Sequence, residues 1–195
     1  IALKPFQFCN LTEVNVSDIE DQDDLNERAR VAAFFGTLQA GFSNFHYLRE
    51  VWKTTTEHDA LIGVGMTGIA SGRVFEMDLR ETAIEVKKVN LAVSASIGIE
   101  FAARCTTIKP SGTTSLVLGT SSGIHAWHNN YYIRRVRIGK DEALYEYLRI
   151  NHPELLEEDL LNSKQAIICV PQCAPGGSIL RDEPVLNLLE RIKKF

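Results

Sequence analysis

Thr106-Thr107-Ile108-Lys109-Pro110-Ser111-Gly112-Thr113-Thr114-Ser115-Leu116-Val117-Leu118-Gly119 reads as a short β-branched strand closed by Pro110, a loop rich in hydroxyls, and a short apolar helix ending at glycine. A strand that turns directly into a helix is the repeating step of an α/β fold. It also leaves several backbone N–H groups unpaired at the helix start, with Ser and Thr hydroxyls around them. Such a turn holds a phosphate without much positive charge. A capped helix with a Ser/Thr-rich first turn has the same local sequence, and the residues by themselves leave both readings open. The Walker pattern Gly-x-x-x-x-Gly-Lys-Ser/Thr is absent, which disfavours a P-loop nucleotide hydrolase.

Outward from this stretch, strands and helices alternate. Residues 1–16 read as a short strand and turn around Phe8-Cys9-Asn10-Leu11, with Ser17 or Asp18 as the cap of a helix. From about Asp24 to Phe42, Leu25, Ala29, Ala32, Ala33, Leu38 and Phe42 recur at helical spacing. Ala60-Leu61-Ile62-Gly63-Val64-Gly65 is a compact apolar run of the kind a buried parallel strand shows. A long helix from about Leu79 to Ala103 is polar early and apolar late. Strands are expected at 131–138 and 165–170, helices at 141–150 and 184–194, and helix surface at Glu76-Met77-Asp78 and from Glu154 to Asp159. The alternation argues for an α/β fold with parallel strands, either an open sheet or part of a barrel.

The 195 residues are 45% hydrophobic and 24% charged, as in a globular protein with a real core. The net charge of -4 is spread among interspersed acids and bases, so no basic surface is available to track a polymeric nucleic acid. No apolar run reaches the ~20 residues of a membrane span and no signal peptide is evident, so a cytoplasmic protein is expected. Cys9, Cys105, Cys169 and Cys173 are too few for a disulfide scaffold, and any that matter are expected to be chemical or redox-active. Cys169 and Cys173 fall in a strand, where that spacing separates them, and no second ligand pair follows, so no metal site is expected.

The run Thr106 to Ser115, followed by Ser122-Gly123-Ile124-His125 and Tyr131-Tyr132-Ile133-Arg134-Arg135-Val136-Arg137, resembles the corresponding stretch of ribonucleotide reductases. It looks closest to the adenosylcobalamin-dependent class that reduces nucleoside triphosphates. The resemblance implies that residues 1–195 are the C-terminal portion of a catalytic domain built as a ten-stranded α/β barrel. It assigns Ser111, Gly112, Thr113, Thr114 and Ser115 to the substrate's phosphates. In Phe8-Cys9-Asn10-Leu11-Thr12-Glu13-Val14-Asn15 it makes Cys9 one of two cysteines that reduce the ribose, are oxidised to a disulfide and are re-reduced by thioredoxin or a similar dithiol. Read without the family, Cys9 is a buried strand thiol.

The family's radical-bearing loop, Asn-Pro-Cys-Gly-Glu, precedes the segment that corresponds to Ile1-Ala2-Leu3 and is not in this sequence. The chain begins without methionine in what reads as strand, so its start looks like a cut. The resemblance therefore implies an N-terminal remainder as partner, and a chain inactive by itself. His125 and His128 invite contact with substrate or cofactor, while Arg135 and Arg137 share a strand face that reads as solvated or ion-paired. Gly63, Gly65 and Gly68 mimic a dinucleotide fingerprint, but no acidic residue follows on a second strand, and a strand and its turn is the better reading. Two rivals stand beside the main reading: a fragment of the large subunit of a diiron-dependent ribonucleoside-diphosphate reductase, and a non-catalytic nucleotide-binding remnant.

Overall fold

The computed structural model describes residues 3–195, so the strand reading at Ile1-Ala2 lies outside the described residues. Two compact units are present, one of residues 3–127 with 177–195 and one of His128–Gly176.

In the first unit, strand β1 (Asn10–Asn15) runs parallel to β2 (Ile62–Thr67), with Asn10 opposite Ile62 and Asn15 opposite Thr67. The buried parallel strand expected around residue 62 is therefore present. On the other side of β2, Thr106 forms a parallel bridge with Val64, and Val64 exchanges hydrogen bonds with Cys105 and Thr107 at 2.9 and 3.1 Å. The expected strand over 106–109 is reduced to this bridge. Pro110 has no N–H to continue a ladder, and the chain turns there into a helix.

Helix α1 (Gln22–Ala40) covers one face of the sheet through Leu25, Ala29, Ala33 and Gly36. A Cβ on Gly36 would lie 3.6 Å from both Ile62 and Thr12, so the helix sits close against the strands. Its cap is Asp21, whose side chain accepts the Asp24 N–H at 2.9 Å, rather than Ser17 or Asp18. Those two are otherwise engaged: Ser17 bonds to Asn15 Oδ1, and Asp18 pairs with Arg28. Leu38 and Phe42, expected on the buried face, are exposed.

Helix α2 (Glu50–Asp59) has no counterpart in the sequence reading, because its run of three threonines carries no apolar period. Helix α3 (Leu79–Ile97) starts at Asp78, which caps the N–H groups of Arg80 and Glu81, so Asp78 is a cap and not helix surface. It stops at Gly98, in the left-handed conformation at φ 74°, five residues before the expected end at Ala103. The buried Asn90 donates to Thr37 and accepts the Ala102 N–H, tying α3 to α1 and to the segment that follows. The short helix α4 (Gly112–Leu118) lies where the sequence places it.

In the second unit, β3 (Tyr131–Gly139) is followed by α5 (Ala143–Asn151), β4 (Leu156–Glu158) and β5 (Gln165–Cys173). The sheet order is β3-β5-β4 and both pairings are antiparallel. The parallel expectation fails here. The chain leaves β3 and returns to β5 at the same end, marked by the Lys140 N–H donating to Lys164 O at 3.0 Å. The acidic stretch expected as helix surface supplies β4. A last helix, α6 (Val185–Lys194), belongs to the first unit.

Candidate functional site

The carboxyl ends of parallel strands are where α/β folds gather ligand-binding loops. Here Thr67, at the end of β2, accepts the Gly123 N–H and donates to Ser121 O, while Gly68 N–H also bonds to Ser121 O. Ser122 Oγ donates to Pro110 O at 2.5 Å. These bonds bring the Thr120–Gly123 turn, and with it the motif ending at His125, against the loop that opens α4.

Ser111 is the unusual residue of that loop. It adopts the left-handed region at φ 57°, ψ 44°, a conformation that costs a non-glycine residue about 1 kcal/mol or more. Its side chain caps nothing, and its hydroxyl is buried without a hydrogen-bond partner among the described residues. A left-handed residue followed by helix turns successive N–H groups toward one concavity, the backbone arrangement that receives anions. Gly112, Thr113 and Thr114 precede the first helical bond, from Ser115 N–H to Ser111 O at 3.1 Å. A Cβ on Gly112 would meet nothing within 4 Å, so the space before the helix is open. Ser115 differs from the other candidates because its hydroxyl already donates to Gly112 O at 2.7 Å. His125 is exposed, its backbone N–H held by Ser122 O.

Cys9 lies just ahead of β1 as a half-buried free thiol, and burial raises its pKa. Thr12, Val64 and Thr106 lie in line across the three segments. Cys9 is three residues before that line and Ser111 five residues after it, a separation along the strands of up to about 26 Å at ~3.3 Å per residue. By strand alternation Cys9 shares the face of Leu11 and Glu13, whereas Thr12, against Gly36 of α1, occupies the other. The cysteine and the loop thus stand toward opposite ends of the same small sheet. Cys105 is buried beside Asn90 of α3, on the helix-covered face, and burial raises its pKa too. It is therefore not placed to pair with Cys9.

The remaining candidates are structural. Arg135 pairs with Glu157 and Arg137 with Asp159, so that strand face is ion-paired. Cys169 donates to Glu157 at 3.1 Å, which raises its pKa, and Cys173 is exposed. Gly63, Gly65 and Gly68 lie in β2 and its turn. Sequence reasoning passed over Thr67, Ser122 and Glu13. A carboxylate between Leu11 and Val14 in a strand was the available signal for Glu13.

No family model matches the chain. An adenosylcobalamin-dependent ribonucleoside-triphosphate reductase of Lactobacillus helveticus is 29% identical over 181 residues, covering 76% of this chain and 24% of the relative. The enzyme of the same name from Levilactobacillus brevis is 27% identical over 215 residues, covering 94% of this chain and 28% of the relative. The chain is similar to adenosylcobalamin-dependent ribonucleotide reductases. This agrees with the resemblance carried by the Pro110 loop and the Cys9 strand. The chain spans about a quarter of the length of the curated relatives it matches. The crystal structure of a B12-dependent, class II ribonucleotide reductase matches with a TM-score of 0.73 at 22% identity. The match covers 90% of this chain and 28% of that one, so the reductase-like chain has the fold of that segment. No helix among the described residues is long and apolar enough to cross a membrane.

Proposed function

We propose that this chain is the C-terminal portion of the catalytic barrel of a ribonucleotide reductase, acting in the cytoplasm. In this reading the Ser111–Ser115 loop binds the substrate's phosphates and Cys9 is one of the two reducing thiols. The observation that carries it is the strained, left-handed Ser111, whose buried hydroxyl lacks a partner among the described residues and which opens the first turn of α4 at Gly112, Thr113 and Thr114. In this reading the phosphates lie in the loop, with His125 at its margin.

The ten-stranded barrel is supported by the surface of β1. Its edge away from β2 pairs with no strand among the described residues. A groove of about 770 Å³ runs along it, lined by Thr12, Glu13, Val14, Asn15, Arg28 and Phe35, where a further strand would fit. In that assembly an N-terminal remainder supplies the radical cysteine, and a dithiol such as thioredoxin re-reduces Cys9 and its partner.

Adenosylcobalamin, named in the relatives, supplies a radical by homolysis of its cobalt–carbon bond. No group of three or more His, Cys, Asp or Glu among the described residues is placed to hold a metal. The corrin ring holds the cofactor's cobalt, so its binding calls for no such cluster, and no step is derived through it. Cys9 and the second thiol together give two electrons and two protons and become a disulfide, while the ribose 2′-hydroxyl leaves as water.

The test is turnover of a ribonucleoside triphosphate by the full-length protein with adenosylcobalamin and dithiothreitol. Cys9→Ser should abolish deoxynucleotide formation while nucleotide binding persists. Undiminished turnover in that variant would remove Cys9 from the chemistry. Dependence on a diiron subunit instead of the cobalamin would favour the diiron-dependent class.

A further inference from the structure

Glu13 and Lys109 form a pair that the reading above leaves without a role. Glu13 is central in β1, opposite Gly65 of β2. Its side chain is only 2% exposed, and neither carboxylate oxygen accepts a hydrogen bond among the described residues. The compensating charge is Lys109 Nζ, 3.3 Å from Oε2, on the residue just before Pro110. The lysine reaches across β2 to meet it. Gly65 provides the passage, since a Cβ there would lie 3.3 Å from Thr107 O and 3.6 Å from Lys109 Cγ. A carboxylate this buried requires a counter-charge, and one placed near a phosphate site would otherwise repel the ligand.

We propose that Glu13 and Lys109 are positioning residues: a charge-cancelling strut that anchors the Pro110–Ser115 loop to the cysteine-bearing strand. Lys109 then acts on nucleotide binding through Glu13 and is not itself a phosphate ligand. This rests on the phosphate-loop reading, which the experiment tests separately. Because the lysine's charge is committed to β1, the loop holds phosphate with amides and hydroxyls alone. Removing Lys109 leaves a buried, uncompensated anion on the approach to the loop. Removing the charge of Glu13 frees a cation at the loop's root. The two single substitutions therefore act on anion binding with opposite sign, which a purely structural pair would not produce.

The experiment measures binding of ATP and of inorganic tripolyphosphate to the full-length protein by calorimetry, in wild type, Lys109→Met, Glu13→Gln and the double variant. Lys109→Met should weaken tripolyphosphate binding by about tenfold, the effect of one uncompensated charge at short range. Glu13→Gln should bind as tightly as wild type or more tightly, and the double variant should return to within about threefold of wild type. A double variant as weak as Lys109→Met would make Lys109 a direct phosphate ligand and overturn the strut. Equal weakening by both single variants would do the same. Should Lys109→Met fail to fold, the charge-swapped pair Glu13→Lys with Lys109→Glu carries the test, and binding more than about tenfold weaker than wild type in the swap would overturn the proposal. If wild type binds ATP but not tripolyphosphate, the phosphate-loop reading itself falls, and the strut with it.

Discussion

Asp59, the last residue of α2, accepts a 2.6 Å hydrogen bond from the side-chain amide of Gln7, two residues ahead of Cys9. Lys4 adds an ion pair at 2.7 Å and His58 a contact at 2.7 Å, while Phe8 stacks on Trp52 with ring centroids 4.8 Å apart. The path into the cysteine strand is thus fastened to α2 by one buried carboxylate and an aromatic contact. The Lys4 interaction, then that of His58, lowers the pKa of Asp59 far below the usual carboxylate range. A depressed folded-state pKa contributes stability that is full above the unfolded value, ~3.9, and lost as pH falls through the folded value. Asp59→Asn should lower the Tm by about 5 °C at neutral pH. Melting curves should show the gap to wild type unchanged down to about pH 4 and closing below it. A gap that widened on acidification would contradict the clamp.

Substitution of Ser111 separates strain from binding. Ser111→Gly removes a left-handed non-glycine residue but adds chain entropy to the unfolded state, so stability should move by less than about 1 kcal/mol. Loss of the hydroxyl should weaken nucleotide binding by about tenfold, the value of one hydrogen bond to a charged group. Denaturant titration and calorimetry on the same samples check both numbers.

The thiols should react in a defined order. Burial raises the pKa of Cys9, so its alkylation by iodoacetamide should rise with pH to a midpoint above the ordinary thiol value of ~8.5. Cys173 is exposed and should label first, while Cys105, buried beside Asn90, should label only on unfolding. Mass spectrometry of timed samples reads the order. Protection of Cys9 by bound ATP would support a nucleotide lying on its face of the sheet.

Gly68 ends β2 at φ 85°, and a Cβ there would stand 2.9 Å from Ser17 Cβ and 3.2 Å from Thr120 Cβ. Gly68→Ala should therefore destabilise the protein by about 2–3 kcal/mol through left-handed strain and the clash. Gly98→Ala, also left-handed but with nothing within 4 Å, should cost only about 1 kcal/mol. Comparable losses at the two positions would deny a specific role for close packing at the end of β2.

Local chemistry made much of this protein legible in its sequence. The strand at Ile62, helices α1, α3 and α4, and the turn from Pro110 into α4 follow from apolar period and from proline and glycine, whose effects are confined to neighbouring residues. The resemblance carried by the Cys9 strand and the Pro110–Ser115 loop rests on short contiguous motifs for the same reason. Tertiary structure decided what depends on distant partners. The sheet of β3, β5 and β4 is antiparallel because the chain returns at the end it left. Helix α2 forms without an apolar period, its end held by the Lys4-Gln7-Asp59 contacts. Glu13 and Lys109, 96 positions apart in number, meet only because Gly65 leaves room between them. Which side chain faces which across a sheet is a property of register and packing, and no local pattern in the chain encodes it.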